Sequence, residues 1–159
     1  MGPLPAVSGN KYILVMVDAF SNLLALAPIP DKTAETVASA FLSSWIQTHG
    51  MPQTLNSDQG KEFVNQLFQT LCKELEIEHV LSSVMHPQSN GKAERQVRAV
   101  VVYLRKYLDS QKGDNLWERL LPASQFSHNS CTHATKGKSP FILAFGRRPN
   151  LPLLSLIHI

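Results

Sequence analysis

Two acidic residues, Asp58 and Glu94, each lie where one predicted secondary-structure element meets the next, and thirty-five residues separate them. Asp58 follows a short run with strand character at residues 54–57 and precedes a segment with helical periodicity. Glu94 follows a breaker-rich segment at residues 83–91 and lies near the start of a long predicted helix. The fold therefore has to present one carboxylate from the end of a strand and another from the first turn of a helix.

Apolar periodicity predicts strands first and then a mixture of helices and strands. Residues 12–17 and 23–29 are largely apolar and flank a polar turn, which indicates a β-hairpin. Further strands are predicted at residues 54–57 and 77–81. Helices are predicted at about residues 30–49, 62–76, 91–109 and 116–131, with a short helix within 137–153. This order favours an α/β fold in which helices flank both faces of a central mixed β-sheet.

The predicted helix at residues 62–76 has one apolar face. Its members recur at helical spacing, so we expect them to pack against the sheet. They are Val64, Leu67, Phe68, Leu71, Cys72 and Leu75. Cys72 is therefore better explained as a core residue than as a metal ligand.

Composition limits the class of protein. The chain has 159 residues and is 43% hydrophobic, which is enough for one domain with one substantial core. It has no apolar run of eighteen or more residues and no secretory signal pattern, so we expect a soluble chain without a membrane partner. The two cysteines, Cys72 and Cys131, are too few for a disulfide framework, so a reducing compartment is expected.

The distribution of charge is more informative than the net charge of +3. Residues 92–106 contain five basic residues and one acid, Glu94, and the basic residues form a positive stripe along the predicted helix. They are Lys92, Arg95, Arg98, Arg105 and Lys106. Such a stripe supplies salt-sensitive, sequence-independent affinity for DNA. A solvated helix face is the alternative, but the position of the stripe around Glu94 favours DNA.

The acidic pair suits one kind of chemistry. Breaking and rejoining a phosphodiester requires an activated nucleophile and compensation of the charge on the leaving oxygen, and divalent cations provide both. Magnesium prefers oxygen ligands, so carboxylates on neighbouring rigid elements are suitable holders. A surface Asp or a helix N-terminal Glu alone would more often be structural. Together, Asp58 and Glu94 point to metal-dependent phosphoryl transfer on DNA.

The motifs around these two acids resemble the catalytic core of retroviral and gypsy-type retrotransposon integrases. They are Ser-Asp-Gln-Gly-x-Glu-Phe around Asp58 and His-Pro-Gln-Ser-x-Gly-x-x-Glu-Arg around Glu94. Further short matches occur in order along the chain, among them Gly-Pro-Leu-Pro at residues 2–5, Ser-Pro-Phe at 139–141 and Phe-Gly-Arg at 145–147. The resemblance extends from Gly2 to about Pro152 and implies a ribonuclease H-like fold.

The resemblance also implies roles for particular residues. Asp58 and Glu94 would be catalytic residues and ligands of Mg²⁺ or Mn²⁺. Residues of the loop before Glu94 and of the helix start would contact DNA. These are Gln88, Asn90, Lys92 and Arg95. The alternative for this loop is a turn that caps the helix, a role that some of its residues are expected to have as well.

Integrases use three carboxylates, and the resemblance accounts for only two of them in this chain. In the family pattern the first catalytic Asp precedes the Gly of Gly-Pro-Leu-Pro by two or three residues, and that glycine is Gly2 here. Asp18 is a candidate substitute, but it corresponds to a separate, non-catalytic position on the second strand of the same hairpin. We therefore expect weak or single-metal binding and impaired catalysis in the chain as written.

Residues near the C-terminal end suggest one further metal site. His128, Cys131 and His133 form a small cluster that is compatible with zinc. A fourth ligand is lacking, however, and the spacing fits no common zinc module. The sequence therefore favours a non-metal role for these three residues.

Two functional hypotheses follow. In the first, the chain is an integrase core that performs metal-dependent 3′-end processing and strand transfer of element DNA into target DNA. In the second, it is a catalytically inactive derivative that retains DNA binding or self-association. The resemblance implies a homodimer or higher oligomer, and a nuclear location that is cytoplasmic before nuclear import. Residues 1–153 are predicted to form the core, with an incomplete first strand, and residues 154–159 an unstructured tail.

Overall fold

The computed structural model describes residues 1–81, 98, 101–102, 105–106, 117–134 and 136–150. Its strands are β1 (Tyr12–Val17), β2 (Leu24–Ile29), β3 (Thr54–Ser57) and β4 (Glu78–Leu81). Its helices are α1 (Ala34–Phe41), α2 (Gln47–His49), α3 (Lys61–Val64), α4 (Gln66–Glu74), α5 (Trp117–Ser130) and α6 (Pro140–Phe145). A π-helical segment, Leu42–Ile46, joins α1 to α2. The predicted hairpin and the strand before Asp58 are present as expected.

The β1–β2 hairpin separates two hydrophobic clusters. β1 pairs with β2 in antiparallel register, with Tyr12 opposite Ile29 and Val17 opposite Leu24. Because side chains alternate across a strand, Ile13 packs with residues of α5 on one face, whereas Leu14 packs with residues of α1 and α4 on the other. Helices therefore cover both faces of this sheet, as the sequence predicts.

The outer edge of β2 is covered by side-chain amides of α5. Asn129 accepts a hydrogen bond from the Leu24 amide at 2.8 Å and donates one to the Leu24 carbonyl at 2.9 Å. Gln125 accepts from the Leu26 amide at 2.8 Å. These contacts satisfy buried backbone groups that would otherwise lack partners, and they prevent the edge from pairing with another strand.

β3 and β4 form a second, parallel pair in which Thr54 lies opposite Glu78 and Ser57 opposite Leu81. The described strands thus form two two-stranded sheets, one antiparallel and one parallel. The two pairs share a hydrophobic cluster, because Leu14 of β1 and Leu55 of β3 pack around the same buried residues. Among the described residues, the predicted central mixed sheet is thus present as two separate strand pairs, one antiparallel and one parallel.

The segment before β1 runs alongside it. The amino group of Met1 donates to the Ile13 carbonyl at 2.7 Å, and the Ile13 amide donates to the Met1 carbonyl at 2.8 Å. Further along, the Leu4 amide donates to the Lys11 carbonyl at 2.7 Å. Ser8 and Gly9 both have positive φ angles between these two arms, which is the geometry of a tight hairpin turn.

The helix predicted at residues 62–76 is broken in two. Asn65 has extended backbone angles, and its side chain accepts a hydrogen bond from the Leu67 amide, so a new helix begins there. The break changes which residues face the core. Phe68 and Cys72 are buried as predicted, but the prediction for Val64 and Leu67 is wrong, because these side chains are 45% and 48% exposed.

Among the residues that the structure describes, no helix is long and apolar enough to cross a membrane. The predicted boundary between a core at residues 1–153 and a tail at 154–159 lies outside the described residues and stays a prediction.

Candidate active site

Asp58 directly follows β3, so its carboxylate lies at the carboxyl end of a parallel strand, as the sequence predicts. The side chain is exposed. Its Oδ1 atom accepts a hydrogen bond from the Gly60 amide at 3.0 Å. A carboxylate has about four lone-pair positions, so this contact orients the group and leaves acceptor capacity for a cation.

Gly60 has no side chain at the point that the carboxylates of Asp58 and Glu62 both approach. A Cβ atom at this position would lie 2.9 Å from Oε2 of Glu62 and 3.0 Å from Oδ1 of Asp58. The φ angle of Gly60 is −56°, which any residue can adopt. A methyl group here would therefore force the two neighbouring carboxylates to move, whereas no unusual backbone angle requires the glycine.

Glu62 was not among the predicted site residues. It is half-buried in the first turn of α3, and its carboxylate lies beside the same glycine as that of Asp58. The sequence signal was the acid inside the Ser-Asp-Gln-Gly-x-Glu-Phe motif. Its significance depended on the tight turn at Gly60, which brings positions 58 and 62 to the same side.

The amino group of Met1 lies near this acidic pair. Burial lowers its pKa below the ordinary 8.0, and the positive charges of Lys32 and Arg105 lower it further, whereas Glu62 and Asp58 act in the opposite direction. Met1 therefore lies between β1, to which it is hydrogen-bonded, and the carboxylates that follow β3. The charge of Arg105, one of the described residues of the basic stripe, also reaches the Met1 amino group.

Strand β3 is linked to β4 beside Asp58. Nε2 of His79 lies 2.8 Å from Oγ of Ser57, and Oγ of Ser57 donates to the Asp58 carbonyl at 3.1 Å. His79 is half-buried, and its ring packs edge-on against Phe68 at a centroid distance of 5.5 Å. The Asp58 carbonyl is thus hydrogen-bonded to the Ser57 hydroxyl, and this hydroxyl contacts His79, whose ring packs against Phe68.

Most of the other predicted site residues lie outside the described residues. These are Glu94, Gln88, Asn90, Lys92 and Arg95. From the predicted basic stripe, Arg98, Arg105 and Lys106 are described, and all three are helical and exposed. These positions agree with a solvent-facing basic surface on the predicted long helix.

Asp18 also follows a strand, but its carboxylate is engaged in the turn. Its Oδ2 atom accepts hydrogen bonds from the amide and the hydroxyl of Ser21 at 2.6 Å and 2.5 Å. Burial raises the pKa of Asp18, but hydrogen bonds from Ser21 and the Phe20 backbone, together with the charge of Lys136, hold it below its ordinary value. Asp18 therefore stabilises the β1–β2 turn, in agreement with its predicted non-catalytic role.

The three residues considered for zinc occupy different environments. The rings of His128 and His133 contact each other edge-on at 4.7 Å. His128 is buried, and its Nε2 lies 3.2 Å from the Asn22 carbonyl. Cys131 is exposed. Within the described ranges, no group of three or more His, Cys, Asp or Glu residues is arranged to hold a metal ion.

The donors present around Asp58 suit a hard divalent cation. They are carboxylate oxygens, the ligand type that Mg²⁺ and Mn²⁺ prefer, and the Gly60 cradle brings a second carboxylate next to the first. Neither nitrogen nor sulfur donors are needed for such a site. Asp58 and Glu62 therefore fit an oxygen-ligated metal, although two carboxylates alone provide few ligands.

The described core has helices on both faces of its antiparallel strand pair and a carboxylate at the end of a parallel strand, so it is an α/β protein with a candidate metal site at a sheet edge. Residues 1–87 match the family model described as "Integrase core domain". The chain belongs to the integrase core domain family, and the resemblance noted from its motifs is confirmed.

Curated relatives include polyproteins from a retrotransposon and a retrovirus. The chain is 34% identical over 153 residues to the "Retrovirus-related Pol polyprotein from transposon 412" of Drosophila melanogaster, covering 96% of this chain and 12% of that protein. It is 35% identical over 147 residues to the "Pol polyprotein" of Radiation murine leukemia virus (strain Kaplan), covering 92% of this chain and 25% of that protein. The chain thus spans a quarter or less of these two relatives.

Solved structures of integrases share the fold. The catalytic core domain of BIV integrase superimposes with a TM-score of 0.67 at 29% identity, covering 84% of this chain and 85% of that one. The HTLV-2 integrase catalytic core domain in complex with magnesium, in a trimeric form, gives 0.66 at 25% identity, with 83% of each chain covered. A chain of a simian T-cell lymphotropic virus intasome gives 0.70 at 26% identity, covering 87% and 50%. The predicted ribonuclease H-like α/β fold is therefore confirmed.

Proposed function

We propose that this chain is the catalytic core of a DNA integrase, which performs 3′-end processing of element DNA and strand transfer into target DNA. The observation that carries the proposal is the position of Asp58. Its carboxylate follows a parallel strand, is oriented by the Gly60 amide and lies beside Glu62, in a chain of the integrase core domain family. This arrangement presents anionic oxygens at a rigid edge of the fold.

Asp58 and Glu94 would hold Mg²⁺ or Mn²⁺. The oxygen donors around Gly60 support this assignment, and a structurally similar integrase core was solved in complex with magnesium. The bound cation would activate the nucleophile and neutralise charge on the reacting phosphate. The role of the protein residues is to hold the carboxylates in a fixed geometry and to position the DNA backbone.

A third carboxylate is expected on a residue that precedes Met1. The support is geometric, because Met1 is hydrogen-bonded to Ile13 of β1 and lies within reach of the charges of Asp58 and Glu62.

DNA would lie along the basic stripe. Gln88, Asn90, Lys92 and Arg95 are the proposed DNA contacts near the metal site, and the exposed Arg98, Arg105 and Lys106 extend the stripe away from it. Contacts of this kind are made mainly to phosphates, so they position the duplex without reading its sequence. DNA affinity should therefore fall steeply as the salt concentration rises.

A second candidate is a DNA-binding or self-association domain without catalytic activity. It would use the exposed basic residues Arg98, Arg105 and Lys106 as a DNA surface and would not need a metal at Asp58. Assembly of this chain into a dimer or a higher oligomer is part of both proposals, since similar integrase cores were solved in dimeric and trimeric forms. Action on DNA implies a nuclear location, after a cytoplasmic stage before nuclear import.

The deciding experiment restores the third carboxylate. Two residues, Asp and Ala, are added before Met1, so that the Asp stands three residues ahead of Gly2, and an Asn-Ala extension serves as the matched control. The Asp-Ala protein should show Mg²⁺-dependent strand transfer on oligonucleotides that carry the ends of the element, and the Asn-Ala protein should not. Equal activity of the two extended proteins would disprove the assignment of the third carboxylate.

The same assay tests Asp58 against Asp18. Loss of a residue that only supports a metal ligand typically costs ~10–100-fold. In the Asp-Ala protein, Asp58→Asn should lower strand transfer by more than this, because Asp58 is a proposed direct ligand. Glu94→Gln should have a similar effect. Asp18→Asn should keep the activity per folded molecule while losing about 1–2 kcal/mol of stability, because it weakens the hydrogen bonds from Ser21. Full activity of Asp58→Asn would contradict the catalytic proposal, and the DNA-binding alternative would then account for the chain.

A further inference from the structure

A hydrogen-bonded chain connects β4 to the backbone of Asp58. The Ser57 hydroxyl has one hydrogen, and it donates this hydrogen to the Asp58 carbonyl at 3.1 Å. Hydrogen bonds to both partners therefore require Oγ of Ser57 to accept from His79, whose Nε2 lies 2.8 Å away and takes either role according to the tautomer of the ring. The donor is then the Nε2–H group of His79. The two hydrogen bonds then run in the same direction: His79 donates to Ser57, and Ser57 donates to Asp58.

The backbone carbonyl and the side-chain carboxylate of Asp58 are each held by a hydrogen bond. Its carbonyl accepts from Ser57, and its carboxylate accepts from the Gly60 amide at 3.0 Å. The carbonyl contact restrains the peptide that leaves β3, and the carboxylate contact restrains the side chain. Without the Ser57 contact, the end of the strand could rotate while the side chain remained capped.

His79 is well placed to hold Ser57 still. Its ring packs against Phe68, which is 1% exposed and belongs to the buried cluster between α1, α4 and the strands. Burial lowers the pKa of His79, which favours a neutral ring. The register of the parallel pair places His79 opposite Leu55, two residues before Ser57, so the contact crosses the pair diagonally.

We propose that His79 is a positioning residue for the metal site: through the Ser57 hydroxyl it holds the Asp58 peptide, and hence the carboxylate, in the orientation that binds a divalent cation. This inference rests on the proposed function of Asp58 as a metal ligand. Outer residues of this kind typically change metal affinity by ~10–100-fold. His79 touches neither the metal nor DNA in this role.

The test measures Mn²⁺ binding to the full chain without DNA, by paramagnetic broadening of the Gly60 amide signal in NMR spectra. His79→Leu removes the donor, and His79→Gln retains an N–H donor near the position of Nε2. We expect His79→Leu to raise the Mn²⁺ Kd about 10-fold and His79→Gln to restore most of the affinity. Equal Kd values for His79→Leu and the native chain would overturn the proposal.

The route through Ser57 is tested with a double-mutant cycle. Ser57→Ala should raise the Kd as much as His79→Leu, and the double variant should be no weaker than either single variant, because all three break the same chain of contacts. Additive losses would show that His79 acts independently of Ser57 and would overturn the proposal. If His79→Leu fails to fold, Ser57→Ala decides the question alone: it must raise the Kd, and an unchanged Kd rejects the inference.

Two controls separate this inference from general effects. Thr54 contacts Glu78 across the same strand pair at 3.2 Å, at the end remote from Asp58, so Thr54→Val should leave the Kd unchanged. If Thr54→Val raised the Mn²⁺ Kd as much as His79→Leu does, the effect of His79 would be a general structural one and the positioning proposal would fail.

If Asp58→Asn leaves the broadening of the Gly60 amide signal unchanged, the proposed function itself fails. If Asp58→Asn abolishes it while the Ser57 and His79 variants bind normally, only the positioning inference fails.

Discussion

Asp18 and Asp58 are the same residue type at the same kind of position, directly after β1 and β3, but their surroundings differ. The carboxylate of Asp18 is half-buried and accepts two short hydrogen bonds from Ser21 within its own turn. The carboxylate of Asp58 is exposed and accepts one hydrogen bond, from Gly60, with Glu62 beside it. An acid whose oxygens are used by its own turn stabilises the fold, whereas an acid that is oriented but not saturated can bind a ligand.

The two strand pairs differ in the same way. Five of the six residues of β2 are buried, and its outer edge is covered by Asn129 and Gln125. None of the four residues of β3 is buried. The β1–β2 pair therefore provides the scaffold, and the β3–β4 pair presents the site at its end. Functional groups tend to lie where packing is incomplete, because a saturated region has no free capacity for a ligand.

The largest effect should come from removing the cover of the scaffold edge. Asn129→Leu leaves the amide and the carbonyl of Leu24 without their partners, and Leu24 is 0% exposed. Each unsatisfied buried group costs about 1–3 kcal/mol, so for the two groups we expect a loss of about 2–6 kcal/mol. Urea unfolding would measure it.

Gln125→Leu is the matched variant at the same edge. Gln125 makes a single, partly buried contact to Leu26, so its loss should be roughly half that of Asn129→Leu. If neither variant changed the unfolding midpoint, the amides of α5 would not stabilise the edge, and the contrast between scaffold and site would be weakened.

A substitution at Gly60 should lower stability less than Asn129→Leu does, and its main effect should be on Mn²⁺ affinity. Gly60→Ala places a methyl group within about 3 Å of the Glu62 and Asp58 carboxylates, which must move apart. We expect Mn²⁺ affinity to fall about 10-fold, as for loss of an outer-shell contact, with less than about 1 kcal/mol of stability lost because the backbone angles suit alanine. Calorimetric titration of Mn²⁺ together with thermal unfolding would measure the two effects.

Gly9 offers a control for Gly60→Ala. It has a positive φ angle and no heavy atom near its hypothetical Cβ, so Gly9→Ala should lower stability through backbone strain and leave Mn²⁺ affinity unchanged. A Gly60→Ala variant that binds Mn²⁺ like the native chain would show that the cradle does not shape the site.

The smallest expected effect concerns the pH dependence of the scaffold. The pKa of Asp18 is lowered in the folded chain below its ordinary value of 3.8, so its contribution to stability is complete above about pH 3.8 and is lost as the pH falls through the folded-state pKa. The stability difference between the native chain and Asp18→Asn should therefore shrink on acidification. Urea unfolding of both proteins between about pH 6 and pH 3 would measure it.

Ser21→Ala should show the same convergence, because it removes the hydroxyl donor to Asp18. A stability difference that stays constant over this pH range would mean that the turn does not depend on the charge of Asp18. The assignment of Asp18 to the scaffold would then rest on its backbone contact alone.

Local sequence signals were sufficient for several elements. The strands at residues 12–17 and 54–57 have the predicted bounds, since runs of apolar residues ended by turn-forming residues define them locally. The position of Asp58 at a strand end follows from the same signals. The break in the helix after Val64 could not be predicted, because periodicity continues across Asn65 and only the capping contact to Leu67 interrupts it.

The site could be predicted in part. The motif identified Asp58, and its acid at position 62 was visible but had no assigned role. The contacts that give Glu62 and His79 their significance join residues through a turn or across two strands. Such contacts depend on how separate segments pack, so periodicity along the chain contains no signal for them. The catalytic and metal-ligand roles of Asp58 and Glu94 stay predictions, as do the DNA contacts of Gln88, Asn90, Lys92 and Arg95.

The sequence by itself determined the strand-and-helix order, the family and the residue types of the acidic motifs, because these depend on local pattern and on ordered strings of residues. Tertiary structure alone decided how exposed each strand-end acid is, since the exposure of Asp18 and Asp58 depends on the segments that pack beside them. It also decided that Glu62 joins Asp58 and that His79 reaches Ser57. The 2.8 Å contact between Ser57 and His79 joins residues 22 positions apart, so it forms only when β3 pairs with β4.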